Sequence, residues 1–277
     1  MITKLQMNTG RRIALAVGAP LAIGIIGWLA LTEIAWAGQG SYPVSLSIPM
    51  HSPAASVAID SGQLQVGPGT VNTLRLTGTA HYSLVRSRVT WRSTASGVSV
   101  SSLCQFPTGS CSFDSRVAIP ASARADIHDS SGDVTVQRLT GPVSIADDSG
   151  NIIATALSGG VRISDSSGDI SGSSLAGPQV VIENQSGDIN LVGLTSLNVS
   201  ASDDSGDITL VFSKVPDAVR VVDQSGNITV VLPHGDTAYN VTATTSSGQR
   251  TVSVPTNSSS PHVITVATDS GDVTVRS

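Results

Sequence analysis

Aromatic side chains are scarce in this sequence: Phe, Trp and Tyr together make 3% of its 277 residues. Globular cores usually lean on aromatics, because each buries a large apolar area. Here Val, Ile, Leu and Ala must fill the core, which suits thin, regular layers. Charge is also low, at 13%, with a formal net charge of −5. Nucleic-acid affinity comes from Lys and Arg neutralising phosphates. No basic cluster interleaved with aromatics occurs, so nucleic acid is set aside as a partner. Helical periodicity of useful length is missing after residue 37. There are only two cysteines, Cys104 and Cys111, separated by the turn formers Gln-Phe-Pro-Thr-Gly-Ser. A metal site would want more ligands and no His is near, so a disulfide staple is expected.

Catalytic patterns are equally thin. His51, His81, His128, His234 and His262 stand in unrelated contexts, and no Gly-x-Ser-x-Gly elbow with a placed His occurs. A sugar-cleaving groove wants paired carboxylates and aromatic platforms. Asp is plentiful enough that pairs mean little, and beyond residue 121 the aromatics are only Phe212 and Tyr239. No catalytic residue, cofactor or metal is indicated.

What the sequence does have begins at its N-terminus. Ile13 to Thr32 is uncharged for 20 residues, after Lys4, Arg11 and Arg12. As a helix this run would reach about 30 Å, the hydrocarbon thickness of a bilayer. Positive charge ahead of it keeps the N-terminus cytoplasmic and sends the remainder outward. Residues 1–12 are therefore expected as a cytoplasmic tail and 13–37 as a transmembrane signal anchor, with the lipid bilayer as partner. Ala35-Trp36-Ala37 fits a signal-peptidase site, and cleavage after Ala37 would give a secreted protein instead. In either case the bulk of the chain lies outside the cytoplasm.

Residues 38–55, with several Ser and Pro, are expected as a spacer, and 56–120 as a β-rich lead-in. Val44-Ser-Leu-Ser-Ile48 and Asn72-Thr-Leu-Arg-Leu76 alternate with the period of half-buried strands. From 121 to 277 a repeat takes over, built on Ser-Gly followed by Asp, Asn or Gln. It occurs at Ser131-Gly132-Asp133, Ser149-Gly150-Asn151, Ser167-Gly168-Asp169 and Ser186-Gly187-Asp188. It continues at Ser205-Gly206-Asp207, Ser225-Gly226-Asn227, Ser247-Gly248-Gln249 and Ser270-Gly271-Asp272. The glycines are 18, 18, 19, 19, 20, 22 and 23 residues apart, and Asp60-Ser61-Gly62-Gln63 is an echo in the lead-in. Counted from each Ser, offsets −6, −4, +3 and +5 are apolar at 30 of 32 positions, the exceptions being Gly172 and Arg250. Composition alone would give about 13.

A period near 20 with β alternation means stacked two-strand rungs, because a propeller blade would need about twice the length. The expected fold is all-β, a single-stranded right-handed β-helix (β-solenoid) preceded by one transmembrane helix. Eight rungs spaced about 4.8 Å apart make a rod roughly 40 Å long.

Val117-Ala-Ile-Pro-Ala-Ser followed by the repeated Ser-Gly-Asp-Ile/Val resembles the bacterial putative-adhesin family of β-strand-repeat proteins, a domain of unknown function. The resemblance covers roughly residues 56–277. It implies a right-handed β-helix on the cell surface, often behind one membrane segment, and supplies no catalytic residues.

At each corner Gly permits φ > 0, while Ser and Asp or Asn bond nearby backbone N–H groups. Offset −2 is acidic or amide in six of eight repeats: Asp129, Asp147, Asp165, Asn184, Asp203 and Asp223. Parity points it inward, and since a buried unpaired carboxylate is costly the chain is expected to bend there. The Asp column could bridge calcium, but its period and glycine count differ from the calcium-binding nonapeptide repeat, so weak or no specific binding is expected. The final strand, ending at Ser277, reads as an uncapped edge. The functional reading is a membrane-anchored, non-enzymatic, adhesin-like surface binding module with an unidentified surface ligand or envelope protein as partner. The alternatives are an envelope structural or signalling scaffold, and a polysaccharide-acting β-helix enzyme.

Overall fold

The computed structural model of the chain describes residues 39–83, 86–103 and 111–277. The expected membrane segment 13–37 and Cys104 lie outside the described residues. Among the described residues no helix is long and apolar enough to cross a membrane, and every named element is a strand.

The first strands are β1 (Gln39–Pro49), β2 (Ala54–Ile59), β3 (Leu64–Pro68), β4 (Thr73–Ser83), β5 (Arg88–Thr94), β6 (Gly97–Leu103) and β7 (Cys111–Ile119). Short strands then alternate: β8 (Arg124–Asp129), β9 (Val134–Gln137), β10 (Val143–Asp147), β11 (Ile152–Thr155), β12 (Val161–Asp165) and β13 (Ile170–Ser173). They continue as β14 (Gln179–Glu183), β15 (Ile189–Leu194), β16 (Asn198–Asp203), β17 (Ile208–Phe212), β18 (Ala218–Ser225) and β19 (Ile228–Val231). The last are β20 (Asn240–Ser247), β21 (Arg250–Ser253), β22 (Val263–Ser270) and β23 (Val273–Arg276).

Successive short strands fall into two sheets in turn. One sheet has 12 strands in the order β1-β4-β7-β3-β9-β11-β13-β15-β17-β19-β23-β21, the other 11 in the order β20-β22-β18-β16-β14-β12-β10-β8-β2-β6-β5. Strands from successive rungs pair in parallel, Val143 beside Val161 and Ile152 beside Ile170. Among the described residues only β1–β4, β4–β7 and β5–β6 pair antiparallel. All-parallel sheets are ordinarily covered on both faces. These are covered on one, and so their strands alternate rather than run continuously apolar.

The core is the set of aliphatic columns expected from the spacing. Of the 32 positions at offsets −6, −4, +3 and +5, all are buried except Val241, Arg250 and Val252, which share one rung. Gly172, the other departure from apolar side chains, is buried too, and a Cβ there would lie 2.5 Å from Leu191. The neighbouring rung's larger side chain fills the gap, as close packing requires. A further buried column, Leu139, Leu157, Leu175, Leu194 and Leu232 with Phe212 among them, closes the far corner.

The two ends depart from chain order. Rung β22–β23 inserts between β18–β19 and β20–β21, so the C-terminal strand is interior and β20–β21 is the terminal rung. The expected uncapped edge at Ser277 is thus a paired strand, Val230 and Val252 flanking Val275. Arg250 is tolerated at an inward position because no further rung stacks on it. At the other end the expected boundaries at 55 and 120 have no counterpart. The Asp60-Ser61-Gly62-Gln63 echo is the corner of a genuine rung, β2–β3, stacked on β8–β9. Rung β6–β7 lies beyond it, and the supposed spacer carries β1, whose Leu46 and Ile48 sit opposite Leu76 and Leu74. Alternating Val, Leu and Ile on β1 complete that end of the core.

Candidate functional site

The Ser-Gly-Asx triplets stack at one corner, where each rung passes from the 11-strand to the 12-strand sheet. Ser131, Gly132 and Asp133 sit on the Ser61-Gly62-Gln63 corner of β2–β3; above them come the triplets at 149, 167, 186, 205 and 225, then Ser270-Gly271-Asp272, with Ser247-Gly248-Gln249 outermost. Gly168, at φ +148°, shows why the centre must be glycine: a Cβ would lie 1.8 Å from the Gly150 carbonyl oxygen of the rung below. The same collision recurs up the column, from Gly132 on Gly62 to Gly248 on Gly271, so the rungs touch here backbone to backbone.

The outer residue of each triplet ties rungs together. Asn151 N–H donates to Asp133 Oδ1 at 3.1 Å, Asp169 N–H to Asn151 Oδ1 at 3.1 Å and Asp188 N–H to Asp169 Oδ1 at 2.9 Å. Asp207 donates to Asp188 at 2.9 Å, Asn227 to Asp207 at 2.8 Å, Asp272 to Asn227 at 2.9 Å and Gln249 to Asp272 at 2.8 Å. Asp and Asn interchange because either presents an Oδ1 that reaches one rung spacing. Gln249 stands on the last rung, where no acceptor is needed.

The inner column overturns one expectation. Asp129, Asp147, Asp165, Asn184, Asp203 and Asp223 do not bend outward; they are 2–5% exposed and point into the rod. The strand stays extended through the five aspartates, and β14 ends just before Asn184; in each case the residue's own turn supplies partners. Ser149 N–H donates to Asp147 Oδ1 at 3.3 Å, Ser167 N–H to Asp165 Oδ1 at 3.2 Å and Ser225 N–H to Asp223 Oδ1 at 3.1 Å. Asp203 Oδ1 accepts from Asp204 N–H at 2.8 Å and Ser205 N–H at 3.3 Å. Among the described residues the second oxygens of Asp147, Asp165, Asp203 and Asp223, and both of Asp129, are buried without a well-formed hydrogen bond, Asp129 having only the pull of the nearby Ser130 N–H.

Non-acidic members of the column reveal what those oxygens face. Asn184 Nδ2 donates to the carbonyls of Gly168 at 3.2 Å and Gly187 at 3.1 Å. Thr268 Oγ1 donates to Gly226 O at 3.3 Å, and Thr245 Oγ1 to Gly271 O at 2.9 Å. The column therefore confronts glycine carbonyls, which are acceptors. An ionised carboxylate there meets another oxygen; a carboxylic acid can donate as Asn184 does. Burial accordingly pushes Asp129 up to about 7, reinforced by the charge of Asp147. Burial likewise raises Asp147 and Asp203 to about 6, against the opposing pull of the serine N–H groups. Asp165 and Asp223 are raised for the same reason. Asp129 is the extreme case because its lower neighbour is the apolar Ile59 and its upper one Asp147.

Outside the corner, the outward rows of both sheets carry mostly short side chains. On the 11-strand sheet a cleft of ≈ 250 Å³ is lined by Arg124, Asp126, Ser144, Arg162, Gln179 and Val181. Arg124 Nε holds Asp126 at 3.0 Å, and Arg162 bridges two rungs to Glu183 at 2.9 Å. Sequence spacing gave no signal for this cleft, since its residues lie on four successive rungs, those of β8, β10, β12 and β14. Among the described residues no group of His, Cys, Asp and Glu is arranged to hold a metal. Cys111 opens β7, and its expected partner Cys104 falls outside the described residues.

A solved structure with this fold exists. A “putative adhesin” from Bacteroides fragilis superposes with a TM-score of 0.50 at 11% identity, covering 85% of this chain and 97% of its own. A “putative cell adhesion protein” from Clostridium sporogenes gives a TM-score of 0.28 at 8% identity, over 85% of this chain and 99% of its own. The first likeness establishes shared fold alone. No curated protein matches the chain. The family model described as Toastrack DUF4097 matches residues 116–276, more than half the sequence and every rung from β8 onward. The chain belongs to the Toastrack DUF4097 family.

Proposed function

We propose that this protein is a membrane-tethered, extracytoplasmic binding rod, adhesin-like and non-enzymatic. Residues 13–37 hold it in the bilayer, and the rungs project beyond. The winding is right-handed, as parallel crossovers overwhelmingly are. Cys104 and Cys111 close the loop between β6 and β7. The observation that carries the binding role is the long, shallow outer surface of the 11-strand sheet. It repeats side chains at one rung spacing and holds a charged cleft with two arginines on alternate rungs. Such a surface suits an extended ligand or a protein face better than a small substrate, which wants enclosure. The acidic residues most suggestive of catalysis are already engaged in the backbone of the corner. The adhesin name carried by the Bacteroides fragilis structure of the same fold agrees with this reading.

The test is attachment. Cells displaying the full chain are compared with cells displaying an Arg124→Glu, Arg162→Glu variant and with cells lacking the protein. Loss of attachment in both supports the reading. Attachment that is unchanged by removing the protein refutes it.

A further inference from the structure

Charge is segregated along the stack. Residues 39–120 carry Arg75, Arg86, Arg88, Arg92 and Arg116 against only Asp60 and Asp114. Residues 121–277 carry 7 basic and 17 acidic residues. The positive end also leaves apolar side chains partly uncovered. Beyond the last two-sheet rung, β6–β7, the sheets extend as β4 and β1 on one side and β5 on the other. Val44 and Leu46 of β1 and Val89 of β5 are only half-buried against the core. Trp91 lies opposite the buried Val100 and so belongs to the apolar face, yet it is 52% exposed. Arg88 and Arg92 alternate with these on β5, exposed and without an ion-pair partner among the described residues.

An apolar face with an exposed Trp, rimmed by unpaired arginines, has the chemistry of a membrane interface. Its position fits as well, because β1 begins at Gln39, with only residues 33–38 between it and the end of the uncharged run at Thr32. At about 3.3 Å per residue the first strand cannot stand far from wherever that run ends. We propose that this end of the stack, Val44, Leu46, Val89 and Trp91 with Arg88 and Arg92, rests on anionic lipid headgroups while the acidic body is held away from them. The proposal builds on the tether of residues 13–37. A second copy is the poorer occupant: the opposite end of the rod carries Arg250 at a core-facing position of its terminal rung, and a stacked copy would bury that guanidinium without a partner.

The experiment reconstitutes the full chain, carrying Trp28→Phe and Trp36→Phe so that Trp91 is the sole indole, into phosphatidylcholine vesicles with or without phosphatidylglycerol. Brominated lipids report contact by quenching. Strong Trp91 quenching is expected in the anionic vesicles and weak quenching in the neutral ones. Arg88→Gln with Arg92→Gln, both exposed and hence compatible with folding, should reduce docking about 30-fold. Alkaline extraction separates the failures. A chain washed from the vesicles overturns the tether and this docking together. A chain that resists extraction but leaves Trp91 unquenched overturns the docking alone. Trp91 shielded equally in neutral vesicles, or a chemically cross-linked dimer through β5, would overturn it in favour of another occupant.

Discussion

Replacing Asp203 with Asn should stabilise the protein at alkaline pH. Asp203 is 3% exposed, its Oδ2 has no partner, and it confronts the same kind of glycine carbonyls that Asn184 bonds one rung away. Burial first, and then the charges of Asp223 and Asp204, lift its carboxyl from 3.8 to about 6. A folded-state value above the unfolded one means the native chain binds more protons, so stability is fully present below about pH 4 and is lost as pH rises through 6. The shift corresponds to about 3 kcal/mol, a ceiling that local relaxation and water entry reduce toward ~1.5 kcal/mol. The amide in Asp203→Asn keeps shape and donor without titrating. Unfolding free energies from urea titration at about pH 8 should therefore rise by that amount, while those at about pH 4 change little. The parent should itself lose stability between about pH 4 and pH 7, with Asp129, Asp147 and Asp203 contributing in the order of their shifts. An Asn variant no more stable than the parent at high pH would refute the protonated column. Parent stability that rose with added calcium at high pH would mean that a cation, rather than a proton, neutralises it.

Three further expectations follow from the corners. Ala156 sits at φ 53°, in the left-handed region that costs a non-glycine residue about 1 kcal/mol, so Ala156→Gly should raise the denaturation midpoint slightly or leave it unchanged. A clear loss would show that the strain is absent. Gly168→Ala forces a Cβ to within 1.8 Å of a backbone oxygen and should cost on the order of 4 kcal/mol or more, read as lost cooperative unfolding; a near-native midpoint would contradict the stacking. If Cys104 and Cys111 are paired, the intact mass should rise by about two protons on reduction. No change on reduction would exclude the pair.

The rung period was legible because the core is one-dimensional. A side chain that must lie above its counterpart repeats at the length of a rung, so Val180, Ile182, Ile189 and Leu191 announce themselves without any long-range information. What failed to show was everything that depends on which rung lies beside which. Nothing local in Val263–Ser270 or Asn240–Ser247 says that the later segment will be the inner one. The polar character of the outer segment, with Arg250 at an inward position, was visible, but only the strand order gives it meaning. Rung β6–β7 has no Ser-Gly-Asx corner at all, and so it was invisible to a motif search. The inner Asp column was misjudged for an energetic reason. A single buried carboxylate looks prohibitive, but a carboxyl that keeps its proton and takes an N–H from its own turn avoids most of that cost.

The reversed order of the last two rungs also bears on why the rod stops. A parallel stack exposes an unsatisfied backbone edge at each end and invites another copy to continue it. Here the most regular C-terminal rung, β22–β23, with Ile264, Val266, Val273 and Val275 fully buried, is kept inside. The terminal rung β20–β21 instead places Arg250 beside Val273, on the core-facing side. Stacking a further rung on it would bury an unpaired guanidinium, a penalty of several kcal/mol. Arg250→Val removes that penalty and restores an apolar column, so the variant should associate end to end at least tenfold more tightly than the parent. Sedimentation velocity over a concentration series in detergent would show it as a growing dimer or longer species. If the variant sedimented as the parent does at every concentration, Arg250 would not be what terminates the stack, and the polar loops 232–239 and 254–262 flanking that rung would have to do so by steric cover.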